Sequence, residues 1–236
     1  LPARSGLGSS SSFTVGLLNA INSLNNKKCS SIDLAKAAIT IEQEILKEAV
    51  GSQDQVCAAF GGFNRINFNL DGSIQVLPLS ISEKTIKDLE ENLLLFYTGT
   101  TRFSYPFAQK KIDNVSKNIN LLKIMKEMVD EGVSILSNEN TPLKEFGLLL
   151  HEGWQLKRGL ADGVTNNEID EMYKLGLDSG ALGGKLLGAG GGGFVVFYVE
   201  KKSQKSVINS LSKYVHVPFR LNAKGSEIIF SRPEDI

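Results

Sequence analysis

The sequence predicts an α+β protein, and three observations carry that class. Apolar residues recur at threes and fours over two stretches, 13–47 and 107–160, as in helices with one buried face. Runs rich in β-branched and aromatic residues at 63–79, 93–97 and 194–199 are bounded by glycine, asparagine or threonine and read as short strands. With 42% hydrophobic and 22% charged residues among 236, the chain can bury one large core or two modest ones.

The chain opens on a stretch, Leu1 to Ile21, that organises the rest. Glycine and serine dominate up to Ser12, and Val15, Leu18 and Ile21 then fall at helical spacing, so a loop feeds a helix. Gly6 and Gly8 can take positive φ and let an anion approach the backbone, while Ser9 to Ser12 bring hydroxyls, an N-cap and unpaired N–H groups. Such an end attracts phosphate. A flexible Ser/Gly linker running into an ordinary capped helix is the plain alternative. No Gly-Lys-Ser/Thr follows the glycines, so this is not a Walker loop.

Ser30-Ser31-Ile32-Asp33 leads into a second helix, 34–47, with apolar positions at Leu34, Ala38, Ile41 and Ile45 and with Glu42 and Glu44 late on it. Glycines then bracket a short helical stretch, Gly51 to Gly62, with Asp54 near its start, where an aspartate can serve as a cap. Two alternating strands around Asp71-Gly72 predict a hairpin. A helix from Ser82 to about Asn92 precedes the continuous apolar run Leu93–Tyr97, a buried strand that delivers Thr98, Gly99 and Arg102 to a strand end, where function concentrates.

From 107 to 160 the stripe Ile112, Val115, Ile119, Leu122, Met125, Val129, Val133 and Leu136 reads as core, broken at 138–142 and followed by a helix that carries His151, Trp154, Lys157 and Arg158. His151 reads as structural, because no acid or nucleophile stands at a telling spacing from it. Lys157 and Arg158 are candidates for a substrate phosphate. A helix over 166–179 precedes Gly188-Ala-Gly190-Gly191-Gly-Gly193, which matches Gly-x-Gly-x-x-Gly but runs into a strand, 194–199, instead of the helix a dinucleotide loop requires. A helix at 203–214 and strands at 216–221 and 225–230 complete a split β-α-β layer.

Lysine plus arginine balance aspartate plus glutamate at 26 each, and the basic pairs are scattered, which removes the electrostatic footprint of a nucleic-acid binder. Two cysteines, Cys29 and Cys57, form neither a metal-ligand spacing nor a disulfide framework, as expected in a reducing, cytoplasmic setting. No apolar run reaches the length of a membrane span. The residues specify no oligomeric state.

The order Pro2-x-x-x-Gly6-Leu7-Gly8-Ser9-Ser10-Ser11 resembles the second motif of the GHMP kinases, the superfamily of galactokinase and of homoserine, mevalonate and phosphomevalonate kinases. Gly51-Ser-Gln-Asp54-Gln55 resembles the family's catalytic aspartate segment, and Gly188 to Gly193 its third motif, a glycine turn between two strands. The resemblance implies a two-lobe fold with a ferredoxin-like second lobe, here divided as an ATP-binding domain over 1–92 and a second domain over 93–236. It implies ATP and Mg²⁺: Gly6, Leu7, Gly8, Ser9, Ser10 and Ser11 on the triphosphate, Ser9 or Ser10 nearest the metal, Glu42 as metal carboxylate with Glu44 as fallback, and Asp54 orienting or deprotonating the sugar hydroxyl. Thr98, Gly99, Arg102, Lys157, Arg158, Gly190 and Gly191 complete the expected substrate set.

The segments 51–64, 97–102, 150–158 and 180–194 together look like bacterial D-glycero-D-manno-heptose 7-phosphate kinases, which phosphorylate an anomeric hydroxyl. L-fucose kinases, or other galactokinase-like sugar kinases, are the alternative within the family, and a nucleotide- or sugar-binding fragment without turnover is the alternative outside catalysis. The chain opens inside a motif that the family places after several strands, so an N-terminally truncated first lobe lacking motif one is expected.

Overall fold

The computed structural model describes residues 6–100, 110, 112–221 and 223–230. By its contacts the chain forms two compact units, one comprising Gly8–Pro78 with the tail from Leu221, the other Leu79–Arg220 with the residues up to Leu7.

In the first unit α1 (Ser9–Leu24) and α2 (Ser31–Ile39) pack with α3 (Gln53–Phe60), followed by a hairpin of β1 (Asn64–Phe68) and β2 (Ile74–Pro78). Ser30 caps α2 by accepting from the Asp33 amide, and Asp33 places a negative charge in the first turn, where the helix dipole favours it. Val15, Leu34, Ala35, Ala38, Val56 and Ala59 form the core; half of these are alanines, which let the three helices approach closely. The hairpin pairs Asn64 with Pro78 and Phe68 with Ile74, its loop closed by Ser73 N–H donating to the Asp71 carboxylate at 2.9 Å.

α2 does not continue regularly to Lys47. Its last part, Thr40–Ile45, is a π-helical turn, with Leu46 N–H donating to Ile41 O at 2.8 Å. The wider turn rotates the later residues about the helix axis: Glu42 is buried, while Ile45, expected on the apolar stripe, is 68% exposed.

In the second unit α4 (Glu83–Asn92), capped by Ser82, leads directly into β3 (Leu93–Tyr97). α5 (Ile119–Ser137), α6 (Lys144–Arg158) and α7 (Asn167–Asp178) precede β4 (Gly183–Leu186) and β5 (Phe194–Tyr198), and α8 (Lys201–Ser210) precedes β6 (Val215–Val217). The sheet order is β4-β5-β3-β6 with every neighbouring pair antiparallel, which is the split β-α-β arrangement expected. Leu94, Phe96, Leu186, Val195 and Phe197 share a core with Trp154, Ile169, Met172, Tyr173, Val207 and Leu211. Leu95, Phe194 and Val196 form a second cluster with Leu7, Leu93 and Val217. Burial on both faces is why the strands read as continuous apolar runs; truncating a core ring such as Phe197 to alanine costs about 3–5 kcal/mol.

Two expectations are corrected. Residues 225–230 form no strand: the Gly62 amide donates to Ala223 O, and Ser226 N–H to Ala58 O, so the tail bonds to the end of α3 instead of extending the sheet, with a single bridge at Gly61 and Lys224. The helical stripe from Ile112 is core only near its end, where Gly132, Ile135 and Leu136 are buried against α6; Ile112, Val115, Ile119 and Val129 are exposed. By contacts the units part after Pro78, and the end of α4 is bonded to the second unit: Val199 N–H donates to Asn92 O and Gln204 to Glu91 O.

Candidate active site

In the first unit the glycine loop ends at Gly8, whose φ of 66° is left-handed, and α1 begins at once, with the Gly8 carbonyl accepting from the Ser12 amide at 2.9 Å. No side chain caps this end, so the first-turn N–H groups are left for a ligand. Ser9 and Ser10 are exposed there, whereas Ser11 is buried and points inward.

Ser11 Oγ donates to Glu42 Oε2 at 2.9 Å, and Gln55 Nε2, from α3, donates to the same oxygen at 2.6 Å. Glu42 is 1% exposed, and its other oxygen, Oε1, has no hydrogen-bond partner. Glu44 is exposed, so of the two glutamates only Glu42 belongs to this cluster. Asp54 lies at the start of α3 against the glycine loop: a Cβ on Gly8 would stand 3.2 Å from Asp54 Cγ. Burial of this carboxyl raises the Asp54 pKa above its ordinary value, and the neighbouring Glu42 charge raises it further. As a residue Asp54 is exposed to solvent.

Both hydrogen bonds to the Glu42 carboxylate fall on Oε2, and a buried carboxylate oxygen left without a partner, as Oε1 is, is costly. Mg²⁺ fits: it takes one or two carboxylates and completes its shell with water and phosphate oxygens. Among the described residues no three His, Cys, Asp or Glu side chains gather into an all-protein cage.

In the second unit the turn between β4 and β5 has positive φ at Gly188, Gly190, Gly191, Gly192 and Gly193. Gly190 is required: a Cβ there would lie 2.6 Å from Val164 Cα. Gly191 N–H donates to Val164 O at 2.9 Å. Thr98 is 3% exposed and grips Gly193 by side chain and backbone, its Oγ1 both donating to Gly193 O and accepting from Gly193 N at 3.0 Å. Gly99, with φ of 84°, is exposed beside it.

Two expected phosphate ligands are otherwise engaged. Lys157 Nζ donates to Leu186 O at 2.9 Å and Gly188 O at 2.8 Å, so its charge holds the start of the glycine turn. Arg158 is paired with Asp170 at 2.9 Å and bonds Gln155. Arg102 lies outside the described residues. His151 is structural as expected, its Nδ1 2.9 Å from the Tyr173 hydroxyl, which donates to Gly184 O at 3.1 Å. Burial raises the pKa of that hydroxyl, so it stays protonated.

Sequence reasoning placed Ser11 only on the phosphates and gave Gln55 no role. The signal for Gln55 was there: it lies beside Val56 and one turn before Ala59, on the face of α3 that proves to be core.

The glycine loop entering a helix, the buried Glu42 with Asp54 against the loop, and the glycine turn in a ferredoxin-like sheet define a class. Models of the GHMP kinases N terminal domain and the GHMP kinases C terminal domain match residues 1–62 and 136–217, together more than half of the chain, which belongs to the GHMP kinase family. Among relatives, D-glycero-alpha-D-manno-heptose 7-phosphate kinase of Campylobacter jejuni is 34% identical over 90% of this chain and 63% of its own length. The bifunctional fucokinase/GDP-fucose pyrophosphorylase of Arabidopsis thaliana is 29% identical over 82% of this chain and 19% of its own. Among solved structures, D-glycero-D-manno-heptose 1-phosphate kinase from Bacteroides thetaiotaomicron superposes with a TM-score of 0.73 at 26% identity, covering 98% of this chain and 66% of that one. The chain thus spans about two thirds of the heptose kinases it matches. No helix among the described residues is long and apolar enough to cross a membrane.

Proposed function

We propose that this chain carries the catalytic machinery of a cytoplasmic, ATP-dependent sugar kinase that phosphorylates the anomeric hydroxyl of D-glycero-D-manno-heptose 7-phosphate. The observation that carries the reading is the cluster of Ser11, Glu42 and Asp54 beneath the uncapped start of α1. The N–H groups of Gly8, Ser9 and Ser10 and the helix dipole bind the triphosphate, with Ser9 and Ser10 hydroxyls at its edge. Glu42 Oε1, with the Ser9 or Ser10 hydroxyl, would hold the Mg²⁺. When bound, Mg²⁺ neutralises charge on the phosphate oxygens.

Asp54 aims the sugar hydroxyl in line with the γ-phosphorus and accepts its proton as the new oxygen–phosphorus bond forms and the bond to the β-phosphate oxygen breaks, releasing ADP. Its raised pKa helps, because a carboxylate that holds a proton more readily is the stronger base. The glycine turn of the second unit, Gly190 and Gly191 included, is that unit's contribution to the substrate set.

L-fucose is the second substrate reading, favoured by the fucokinase relative. Incubation of the natural protein with ATP, Mg²⁺ and each sugar, read by ³¹P NMR, tests the proposal: an anomeric phosphate on the heptose 7-phosphate is expected. Nucleotide binding with no phosphoryl transfer to any sugar would leave only a binding module.

A further inference from the structure

We infer that Gln55 is the positioning residue of the metal carboxylate: its amide, with Ser11, occupies one oxygen of Glu42 so that the other is presented to the cation. The inference rests on the proposed Mg²⁺ reading of Glu42. Gln55 is fully buried, on α3, one residue beyond Asp54. Its Nε2 donates to Glu42 Oε2 at 2.6 Å, short enough for a charge-assisted bond, and Ser11 donates to the same oxygen at 2.9 Å. The amide orientation follows from chemistry, since the opposite one would set two acceptors against each other. Both remaining oxygens, Glu42 Oε1 and Gln55 Oε1, are buried without hydrogen-bond partners.

A carboxylate with one oxygen held by two donors cannot rotate to chelate through both, so it offers a single lone-pair direction. That suits Mg²⁺, which demands near-ideal octahedral geometry and ligates through single oxygens. Partners of this kind, one step removed from a metal, fix ligand orientation, and their loss typically weakens metal affinity tenfold to a hundredfold. Gln55's own free Oε1 is an acceptor for a strong donor such as a cation-bound water. The same bond ties the Glu42 carboxylate, on the π-helical turn, to the helix that carries Asp54.

The test uses the natural protein and Gln55→Met, which keeps the volume and removes the amide. Mn²⁺ serves as the metal probe, measured by EPR with saturating ADP, together with the rise in melting temperature that metal adds to ADP alone. Gln55→Met should weaken Mn²⁺ binding by about tenfold or more and shrink the metal-dependent rise, with metal-free ADP binding unchanged. A residue that merely fills the core would instead lower the melting temperature equally with and without metal.

If Gln55→Met binds Mn²⁺ like the unaltered protein while Glu42→Gln does not, the positioning role is overturned and the metal site stands. If Glu42→Gln also binds normally, or the unaltered protein shows no metal-dependent binding, the metal reading itself falls and this inference with it. Should Gln55→Met fail to fold, Gln55→Asn, which withdraws the amide by one methylene, is judged by the same outcomes.

Discussion

Gly8 and Asp54 are in contact: the glycine's missing side chain leaves room for the aspartate carboxyl, and a Cβ there would come within 3.3 Å of Oδ2. The glycine loop and the aspartate are therefore set by one packing contact. Gly8→Ala forces a left-handed backbone costing about 1–2 kcal/mol and pushes on Asp54. We expect a fall in kcat of roughly tenfold or more, since about 1.4 kcal/mol is a factor of ten. Steady-state kinetics together with a melting curve check this; an unchanged kcat would show that the contact has no catalytic consequence.

Glu42→Gln should greatly weaken Mg²⁺-dependent ATP use, while Glu44→Gln, on an exposed side chain, should change it by less than about twofold, as is usual for a surface substitution. Magnesium titrations of the initial rate separate the two, and equal, small losses would return both glutamates to a solvated helix face.

The pair also shows what was legible in the sequence. Glycine loop, Asp54 segment, hairpin and glycine turn are set by local signals such as Asp71-Gly72 and the apolar run Leu93–Tyr97, and they stand where those signals put them. Glu42, four residues beyond Ala38 and seven beyond Ala35, falls on the buried face by a 3.6-residue period, whereas the exposure of Ile45 was not legible, because a π turn changes the facing mid-helix. For Lys157 and Arg158 the missing information is of another kind. Their partners are the carbonyls of Leu186 and Gly188 and the carboxylate of Asp170, distant in sequence and visible only once the sheet has formed.

Asp54→Asn should separate stability from catalysis. Because the folded pKa is raised, the folded state holds its proton more tightly than the unfolded state, so ionising Asp54 costs stability as pH rises from the unfolded value of 3.8 through the higher folded one. At neutral pH the neutral amide should therefore leave the melting temperature equal or higher, while kcat falls by about 10²–10⁴, the usual contribution of a general base. A lower melting temperature with kcat retained would reverse both roles.

Lys157→Met should act on the glycine turn. Removing an ammonium that holds two carbonyls should cost about 1 kcal/mol in this half-buried setting, seen as a lower melting temperature, with kcat reduced through a loosened turn. A higher KM for the sugar phosphate with unchanged stability would instead assign Lys157 to the substrate.

Assignment as a heptose 7-phosphate kinase is tested most directly by the acceptor preference of the natural protein, measured as kcat/KM for D-glycero-D-manno-heptose 7-phosphate, L-fucose and D-galactose at fixed Mg²⁺ and ATP. The heptose 7-phosphate should lead by at least about a hundredfold, or about 2.7 kcal/mol, as recognition of a second phosphate by charge-assisted bonds provides. A preference for either unphosphorylated sugar would contradict it.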